Sequence, residues 1–311
     1  MRLKDRMTYV VYRSLGTAME LAPEPVSHGA AAVVGEVLAR RRGTPTAYAQ
    51  RHLHRVLAST SPGVEPDPLV VKRWARRSFR SYARYWAEGA SLPATPSRVV
   101  LERISILGYH HLERAMADGR GVVLALPHIG SWEWGGALLA LDGFPMTAVA
   151  EQIEPPELFE WFIEKRNKMG LQIVALGPES GGAVLRTLRE GGLVGLLCDR
   201  DLVGNGVEVE FFGETTTMPA GPATVALRTG AALMAAVVYS GPGPHHTGVI
   251  APPIDLTRSG ALRVDVARIT QEIARQLEAC IRRAPEQWHL FQPNWPSDAD
   301  RVEASLSVRS S

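Results

Sequence analysis

The chain has 311 residues, of which 45% are hydrophobic and 21% are charged. This is the composition of an ordinary globular protein, and it excludes a mostly disordered chain. The formal net charge of +2 is unevenly distributed, because residues 1–90 hold fifteen Lys and Arg against seven Asp and Glu. The first 90 residues therefore carry +8 and the remainder carries −6. This polarity favours an anionic partner for the N-terminal part, with phospholipid head groups and nucleic acid as the two candidates.

The first third of the chain is predicted to be helical. Its apolar periodicity indicates helices over residues 7–21, 25–42 and 44–60. The breaker segment SPGVEPDP then precedes a further helix that has Pro68 in its first turn. We assign residues 1–94 to a helical, basic region that lies next to a membrane.

The helix that begins near Pro68 combines basic and aromatic side chains, which a helical projection separates onto two faces. In one interpretation the basic face is solvated and the aromatic side chains pack on the core. In another, the helix lies in a membrane interface, where its cations bind anionic lipid and its aromatics enter the head-group layer. No DNA-binding or RNA-binding motif accompanies the charge, so we expect no nucleic-acid partner. The membrane-binding residues we predict are Arg73, Arg76, Arg77 and Arg80.

From about residue 95, short apolar runs alternate with longer amphipathic stretches. Near-continuous apolar strands separated by helices are typical of a parallel sheet that is covered on both faces. We therefore predict an α/β fold, an αβα sandwich around a mostly parallel central sheet, preceded by the helical N-terminal region. Residues 95–296 form the α/β core and residues 297–311 a flexible tail, within one integrated domain. The predicted strands are 121–127, 145–150, 171–176, 192–198 and 232–239.

No segment predicts secretion or a membrane crossing. The longest apolar stretch, at 230–239, is shorter than the ~18 residues of a spanning helix, and the N-terminus lacks the pattern of a signal peptide. Cys198 and Cys280 have no CxxC or Cys/His ligand spacing, so we predict neither a disulfide nor a metal site. His245 and His246, in GPGPHHTG, are expected to be exposed turn residues. A protein of this kind that meets a membrane would lie on its surface.

A histidine and a carboxylate follow the first predicted strand of the core. In PHIGSWEWGG, His128 comes just after the strand, at the edge where open α/β sheets place their ligands, and Glu133 falls in the first turn of the next helix. A carboxylate on one imidazole nitrogen fixes the tautomer and favours protonation at the other nitrogen, as in a catalytic triad. Because the chain has no GxSxG nucleophile motif, the pair suits direct attack by a substrate hydroxyl on an activated acyl group. A purely structural hydrogen bond between the two residues is the alternative.

Three blocks of sequence together resemble a known family. The first, PHIGSWEWGG, is similar to the His-x4-Asp/Glu motif of membrane-associated lipid acyltransferases. Residues 196–231 and 285–296, the latter reading PEQWHLFQPNWP, resemble later motifs of one branch of these enzymes. That branch contains the lipid A late acyltransferases and the actinobacterial phosphatidylinositol mannoside acyltransferases, and the second block is closer to the actinobacterial enzymes. The resemblance extends from the N-terminal helices to about residue 296.

This resemblance implies transfer of a fatty acyl chain from acyl-CoA to a mannose hydroxyl of phosphatidylinositol mannoside, a step in cell-envelope glycolipid biosynthesis. His128 would be the general base and Glu133 its orienting carboxylate, although the family often has Asp at the position of Glu133. Acyl-CoA is a donor substrate, so no cofactor is implied, and an acyl carrier protein is the alternative donor. The expected location is the cytoplasmic face of the plasma membrane, as a peripheral protein. The alternatives are a lipid A or lysophospholipid acyltransferase, and a catalytically silent lipid-binding protein.

Five further polar residues are candidates for substrate binding. Glu151 and Arg166 resemble residues that line the acceptor groove in this family, and a guanidinium offers paired donors to phosphate or sugar oxygens. The alternative to substrate binding is that Arg166 is an ordinary arginine on the surface of a helix. Asp199, Arg200 and Asp201 follow the apolar run GLVGLLC at another strand end. They are expected either to contact substrate or to form a structural ion pair.

Overall fold

The computed structural model describes residues 3–41, 43–61 and 63–298, with side chains from residue 5 onward. The strands are β1 (Ile104–Leu107), β2 (Val122–Leu126), β3 (Met146–Ala150), β4 (Gln172–Ala175), β5 (Leu193–Leu197), β6 (Val207–Phe211), β7 (Glu214–Met218), β8 (Ala232–Ser240) and β9 (His246–Ile250). Seven of them form a central sheet in the order β1-β9-β8-β2-β5-β3-β4, whereas β6 and β7 form a separate antiparallel hairpin. Within the central sheet, neighbouring strands are parallel except for β8 and β9.

Four long helices precede the sheet, and further helices cover it. They are α1 (Leu3–Leu21), α2 (Glu24–Arg40), α3 (Thr44–Thr60), α4 (Pro68–Ser91), α5 (Ser97–Arg103), α6 (Tyr109–Ala117), α7 (Trp132–Leu141), α8 (Pro156–Lys168), α9 (Ser180–Arg189), α10 (Gly221–Thr229) and α11 (Leu262–Arg283), with 3-10 helices at Leu92–Ala94 and Pro285–Gln287. In the part of the chain that the structure describes, no helix has both the length and the hydrophobicity needed to cross a membrane.

The central sheet is buried on both faces. Every residue of β2 is buried, as expected for a parallel strand between two helical layers. On one face the strands pack against α9, α10 and α11, through side chains such as Leu188 and Ile273. On the other face they pack against α6 and α7, through Leu112 and Leu139. The predicted αβα sandwich with a helical N-terminal region is confirmed.

The structure contains four strands, β1, β6, β7 and β9, that the sequence did not predict. They are four or five residues long and alternate buried with more exposed positions, so none forms a continuous apolar run. The expectation that His246 is an exposed turn residue is wrong. His246 is the first residue of β9, pairs with Ser240 of β8 and is only 2% exposed, whereas its neighbour His245 is exposed.

Helix α4 separates its basic and aromatic side chains. Arg73, Arg76, Arg77 and Arg80 are all exposed. The aromatic side chains instead pack inward, and the Phe79 ring stacks on Phe291 with the centroids 4.6 Å apart. The aromatic face of α4 therefore points into the protein, where it packs or lines cavities, and the exposed face carries Lys72 and the four arginines.

The last described residues return to the N-terminal helices. The carboxylate of Asp298 is fully buried, and its Oδ2 atom lies 3.1 Å from Nε2 of His52 in α3. Its Oδ1 atom lies 2.9 Å from the Arg55 guanidinium. Residues 297 and 298 of the predicted flexible tail are thus packed against α3, and residues 299–311 lie outside the described residues.

Candidate active site

The strand register brings His128 and Asp199 to the same level of the sheet. Strands β2 and β5 are parallel neighbours in which Leu126 pairs with Leu197. His128 and Asp199 each follow their paired leucine by two residues, so they leave adjacent strands side by side at the carboxyl edge. The Nδ1 atom of His128 donates to Oδ1 of Asp199 at 2.6 Å, and the backbone N–H of His128 donates to Oδ2 at 2.9 Å.

The Asp199 carboxylate is fully buried and has a further donor. The indole N–H of Trp288 donates to its Oδ2 atom at 2.7 Å, and the amide of Asn294 donates to the Asp199 carbonyl at 3.1 Å. Burial alone would raise the pKa of Asp199, but the charge of His128 and the hydrogen bonds that His128 and Trp288 donate to the carboxylate outweigh burial, so the pKa is lowered. Asp199 is therefore an ionised carboxylate aimed at the imidazole.

Asp199 changes the basicity of His128. Burial by itself would lower the pKa of His128, but the charge and the hydrogen bond of Asp199 outweigh burial, and the pKa is raised above its ordinary value. Because Nδ1 carries the hydrogen donated to Asp199, the other ring nitrogen, Nε2, is the one available as a base. This is the geometry of a general base with its orienting carboxylate.

The loop between β2 and α7 is fixed by backbone hydrogen bonds. The N–H of Gly130 donates to the Gln287 carbonyl, and the N–H of Ser131 donates to the Val238 carbonyl, both at 3.0 Å. Gly130 has φ +59°, and a Cβ atom there would lie 1.9 Å from the Val238 oxygen. Only glycine fits this position, so Gly130 allows the loop to approach β8 and to keep His128 beside the end of β5.

The structure differs from the prediction that Glu133 orients the His128 ring. The buried Oε1 atom of Glu133 accepts hydrogen bonds from the Tyr85 hydroxyl at 2.7 Å and from Nη2 of Arg166 at 3.0 Å. Glu133 is the second residue of α7, and its side chain meets α4 and α8, whereas the carboxylate on His128 comes from the neighbouring strand end. Sequence spacing alone could not show that β5 lies beside β2.

Glu133, Arg166 and Tyr85 form a buried ionic cluster. Burial would lower the pKa of Arg166, but Glu133 raises it, so the guanidinium stays charged. Burial raises the pKa of the Tyr85 hydroxyl, which stays neutral. The Arg166 guanidinium also stacks over Trp132, 5.6 Å from the ring centroid. Arg166 is thus held in place by Glu133 and is not a free surface arginine.

A cavity of about 650 Å³ opens in front of His128. The predicted residues Glu151, Arg166, Arg200 and Asp201 all line it, whereas Asp199 lies behind the His128 ring. Among the described residues, Arg200 has no hydrogen-bond or ion-pair partner. Asp201 is occupied, since its carboxylate accepts from three backbone N–H groups of the loop that leads into the hairpin and from Thr217.

Sequence reasoning missed four residues of this site. Tyr85 donates to the Glu133 carboxylate, and Trp288 donates to the Asp199 carboxylate. Asn294 donates to the Asp199 carbonyl. His289 lines the cavity, and its backbone N–H donates to the His128 carbonyl at 2.7 Å. Burial lowers the pKa of His289 to about 3, so its ring is neutral. Three of these residues lie in PEQWHLFQPNWP, a block that resembles the family but gives no individual role from spacing.

The chain belongs to the family of bacterial lipid A biosynthesis acyltransferases, whose profile matches residues 2–297. It is therefore an acyltransferase, as the resemblance of its motifs implied. The chain is 36% identical to the phosphatidylinositol mannoside acyltransferase of Mycolicibacterium smegmatis, over 98% of this chain and 97% of that protein. It is 39% identical to the phosphatidylinositol mannoside acyltransferase of Mycobacterium tuberculosis, over 83% of this chain and 79% of that protein.

Proposed function

We propose that the protein transfers a fatty acyl chain from acyl-CoA to a mannose hydroxyl of phosphatidylinositol mannoside. The observation that carries this proposal is the His128–Asp199 pair on the wall of the 650 Å³ cavity, in a chain whose relatives carry that name. The cavity offers apolar side chains such as Leu196 and Val225 for an acyl chain, and polar side chains beside His128 for a head group.

In the proposed reaction, Nε2 of His128 accepts the proton of the acceptor hydroxyl as its oxygen attacks the thioester carbonyl. A carbon–oxygen bond forms, and the carbonyl becomes a tetrahedral oxyanion. The intermediate then collapses, the carbon–sulfur bond breaks, and the leaving thiolate takes the proton from the His128 imidazolium. Asp199 stabilises that imidazolium throughout and keeps the ring in the productive tautomer.

Arg200 is our candidate for stabilising the oxyanion. The backbone N–H groups of residues 128–131 already donate to protein acceptors, so they are not free for substrate. Arg200 lines the cavity without a protein partner among the described residues, and its charge acts on His128 strongly enough to oppose the rise of the pKa of His128. A fixed cation near the reacting carbonyl stabilises the developing negative charge. Glu133 acts indirectly in this proposal, because it holds Arg166 at the cavity wall.

We also propose that the protein docks on the cytoplasmic face of the plasma membrane, where acyl-CoA is available. Support comes from α1 and α2, which expose large apolar side chains while α4 exposes its arginines beside them. Helices that expose large apolar side chains beside basic ones are typical of an interfacial element. The exposed apolar residues are Met7, Val10, Val11, Tyr12, Leu15, Leu21, Val26, Val33, Val34 and Val37.

The test is acyl transfer by the purified protein from radiolabelled palmitoyl-CoA, or from palmitoyl-acyl carrier protein. Acceptors are phosphatidylinositol mannoside, a lipid A precursor and a lysophospholipid, with His128→Ala as the inactive control. Labelled phosphatidylinositol mannoside as the main product, formed from the CoA donor, supports the proposal. Preference for another acceptor reassigns the substrate. Lipid binding without transfer in any combination indicates a catalytically silent lipid-binding protein.

A further inference from the structure

A second large cavity, of about 400 Å³, lies among the N-terminal helices and α8. We call it the apolar cavity. Residues of α1, α2, α4 and α8 surround it, together with Glu133 of α7. Its volume falls within the range of about 300–1,000 Å³ that is typical of ligand pockets. The apolar cavity therefore has room for part of a lipid-sized molecule.

The lining of the apolar cavity consists mainly of aliphatic and aromatic side chains. Aliphatic side chains such as Met19 of α1 and Leu38 of α2 line it together with the rings of Trp161 and Phe162 of α8. A lining of this kind favours a ligand without polar groups, because burying such a ligand removes apolar surface from water on both sides.

The charged side chains of the apolar cavity already have partners. Within the described part of the chain, they are Glu133, Lys165 and Arg166. Glu133 pairs with Arg166 at 3.0 Å, and Lys165 pairs with Glu20 of α1. The described lining therefore has no unpaired charge to which an ionic head group could bind. A hydrocarbon chain matches it better than a charged molecule does.

The apolar cavity is open on the side that we propose to meet the membrane. Four of its described lining residues are 45–55% exposed, namely Val11, Tyr12 and Leu15 of α1 and Val34 of α2. These four belong to the exposed apolar side chains that support docking, so the cavity is continuous with that surface. When the surface lies on a bilayer, an acyl chain can enter the cavity from the membrane.

The apolar cavity also adjoins the 650 Å³ cavity in front of His128. The residues that line both cavities are Tyr82, Tyr85, Trp86 and Arg166. The Trp86 ring packs on the other two rings, with centroids 5.9 Å from Tyr82 and 5.7 Å from Tyr85. The two cavities therefore meet at one layer of side chains. A lipid with a chain in the apolar cavity has its head group close to the reaction cavity.

We propose that the apolar cavity binds one fatty acyl chain of the acceptor glycolipid, from its diacylglycerol part. This inference rests on the proposed function and adds to it, because the acyl chain of the donor is assigned to the 650 Å³ cavity, beside Leu196 and Val225. The acceptor is the substrate that resides in the bilayer, and the apolar cavity is continuous with the surface that docks there. Binding of one chain holds the acceptor while its mannose reaches His128.

Gly89 of α4 offers a way to fill the apolar cavity. It lines the cavity, and a Cβ atom there meets no atom within 4 Å. The side chain of Gly89→Leu should therefore occupy the cavity, and that of Gly89→Ala should occupy less of it. Both substitutions remove a glycine from a helix, so neither should weaken the fold.

Two other helical glycines provide controls. Gly29 of α2 also has no atom within 4 Å of a Cβ atom but lies outside the described lining, so Gly29→Leu is the matched control. Gly181 of α9 has the same free space and lines the 650 Å³ cavity. Gly181→Leu therefore fills the reaction cavity instead of the apolar cavity.

The test is isothermal titration calorimetry with two monomeric acceptors, dibutanoyl and dihexanoyl phosphatidylinositol mannoside, without vesicles. Every protein in this comparison carries His128→Ala, so binding is measured without any reaction. The longer acceptor should bind more tightly, by about fourfold for each methylene added to the buried chain. Gly89→Leu should abolish this dependence and Gly89→Ala should reduce it, whereas Gly29→Leu and Gly181→Leu should retain it.

Equal affinity for the two acceptors, or binding of neither, overturns the proposal. A dependence on chain length that survives in Gly89→Leu also overturns it, and loss of the dependence in Gly181→Leu alone places the acceptor chain in the 650 Å³ cavity. Dihexanoyl phosphatidylcholine is the comparator, and equal affinity for it overturns the assignment to the acceptor. Failure of the proposed function is detected separately, by acyl transfer with the wild-type protein.

Discussion

The Asp199 carboxylate holds His128 at two points, with one oxygen on the ring and the other on the backbone N–H. The same oxygen that holds the backbone also accepts from Trp288. Orientation of the ring and position of the loop therefore depend on different atoms of one side chain. A substitution that changes only the oxygen facing the ring can alter the tautomer while the backbone stays in place.

Asp199→Asn is such a substitution, and we expect it to lower kcat by about four orders of magnitude. The oxygen of the new amide still accepts from the His128 backbone and Trp288, but the amide nitrogen meets Nδ1, which favours the tautomer with hydrogen on Nε2. Acyl transfer and thermal unfolding are measured together. Asp118→Asn, at an exposed ion pair after α6, is the matched control and should be unaffected. Retention of most of the activity in Asp199→Asn would remove Asp199 from the mechanism.

The activity is expected to rise with pH through the pKa of His128. The general base must be neutral, and the raised pKa of His128 places this limb above the ordinary value of 6.5. In Asp199→Asn, the fall of the residual activity on the acid side should occur at a lower pH than in the wild type. The raised pKa also contributes stability that is fully present below pH 6.5 and lost as the pH rises through the folded-state pKa. Profiles of kcat/KM and unfolding free energy against pH check both statements, and a limb that Asp199→Asn leaves unmoved contradicts them.

Glu133→Gln separates two roles for this carboxylate. If Glu133 holds Arg166, its removal leaves a largely buried guanidinium without a counter-charge and should lower the unfolding free energy by about 3 kcal/mol. Activity should fall with the pH limb unmoved, because Arg166 loses the carboxylate that holds it at the cavity wall, whereas Glu133→Asp should keep part of the activity. Glu164→Gln, which removes an exposed ion pair on α8, should change stability little. If Glu133→Gln displaces the acid limb of the pH profile as Asp199→Asn does, Glu133 is instead the partner of His128.

Gly130→Ala should prevent the catalytic loop from adopting its native backbone. The added Cβ atom would meet the Val238 oxygen at 1.9 Å, in addition to the strain of a positive φ. We expect loss of most activity and a destabilisation of several kcal/mol, measured by denaturant unfolding. Gly143→Ala is the control, since Gly143 also has a positive φ but a Cβ there meets no atom within 4 Å. Equal effects of the two substitutions would mean that backbone strain alone, without the contact to β8, explains them.

Membrane docking should depend on the apolar face of α1 and α2 as well as on the arginines of α4. Replacing Val10, Val33 and Val37 with Ser should weaken sedimentation with both anionic and zwitterionic vesicles, because it removes apolar burial. Replacing the four arginines with Gln should weaken binding to anionic vesicles only, at about 1 kcal/mol per cation. Those arginines are Arg73, Arg76, Arg77 and Arg80.

Matched controls come from surfaces outside the first four helices. Leu107→Ser with Val264→Ser removes exposed apolar side chains outside α1 and α2, and Arg263→Gln with Arg275→Gln removes exposed cations of α11. Both pairs should leave sedimentation unchanged, and each docking variant should stay active on a detergent-dispersed acceptor. Unchanged vesicle binding in the valine and arginine variants places the membrane contact elsewhere.

The sheet was predictable where its strands coincide with apolar runs, and not where short strands alternate buried with more exposed positions. Strands β2, β3, β4, β5 and β8 lie close to the apolar runs of the sequence, and β2 shows why, because a strand buried on both faces needs apolar residues throughout. Strand β9 has polar residues and a glycine at its start and is fixed by pairing with β8. Its register, not its composition, buries His246.

The sequence located the central residues of the site but not their pairings. His128 and Asp199 each follow the end of a strand, and Glu133 lies in the first turn of a helix, positions that sequence patterns reveal. Which carboxylate meets the imidazole depends on strand order, and β5 lies beside β2 although residues 127–192, which include β3 and β4, separate the two strands in sequence. A single sequence gives no signal for that strand order. The sequence therefore led us to pair His128 with Glu133, the nearer carboxylate along the chain, whereas its partner in the structure is Asp199.

The segment that supports Asp199 also packs against the N-terminal helices. Trp288 and Asn294 bond Asp199, while the rings of Trp288 and Trp295 pack against His52 in α3. Removing the segment from residue 288 onward would leave His128 in place but would take away the donors that hold its partner, and α3 would lose the rings that cover it. Packing of the N-terminal helices and alignment of the His128–Asp199 pair are therefore coupled through one short stretch of chain.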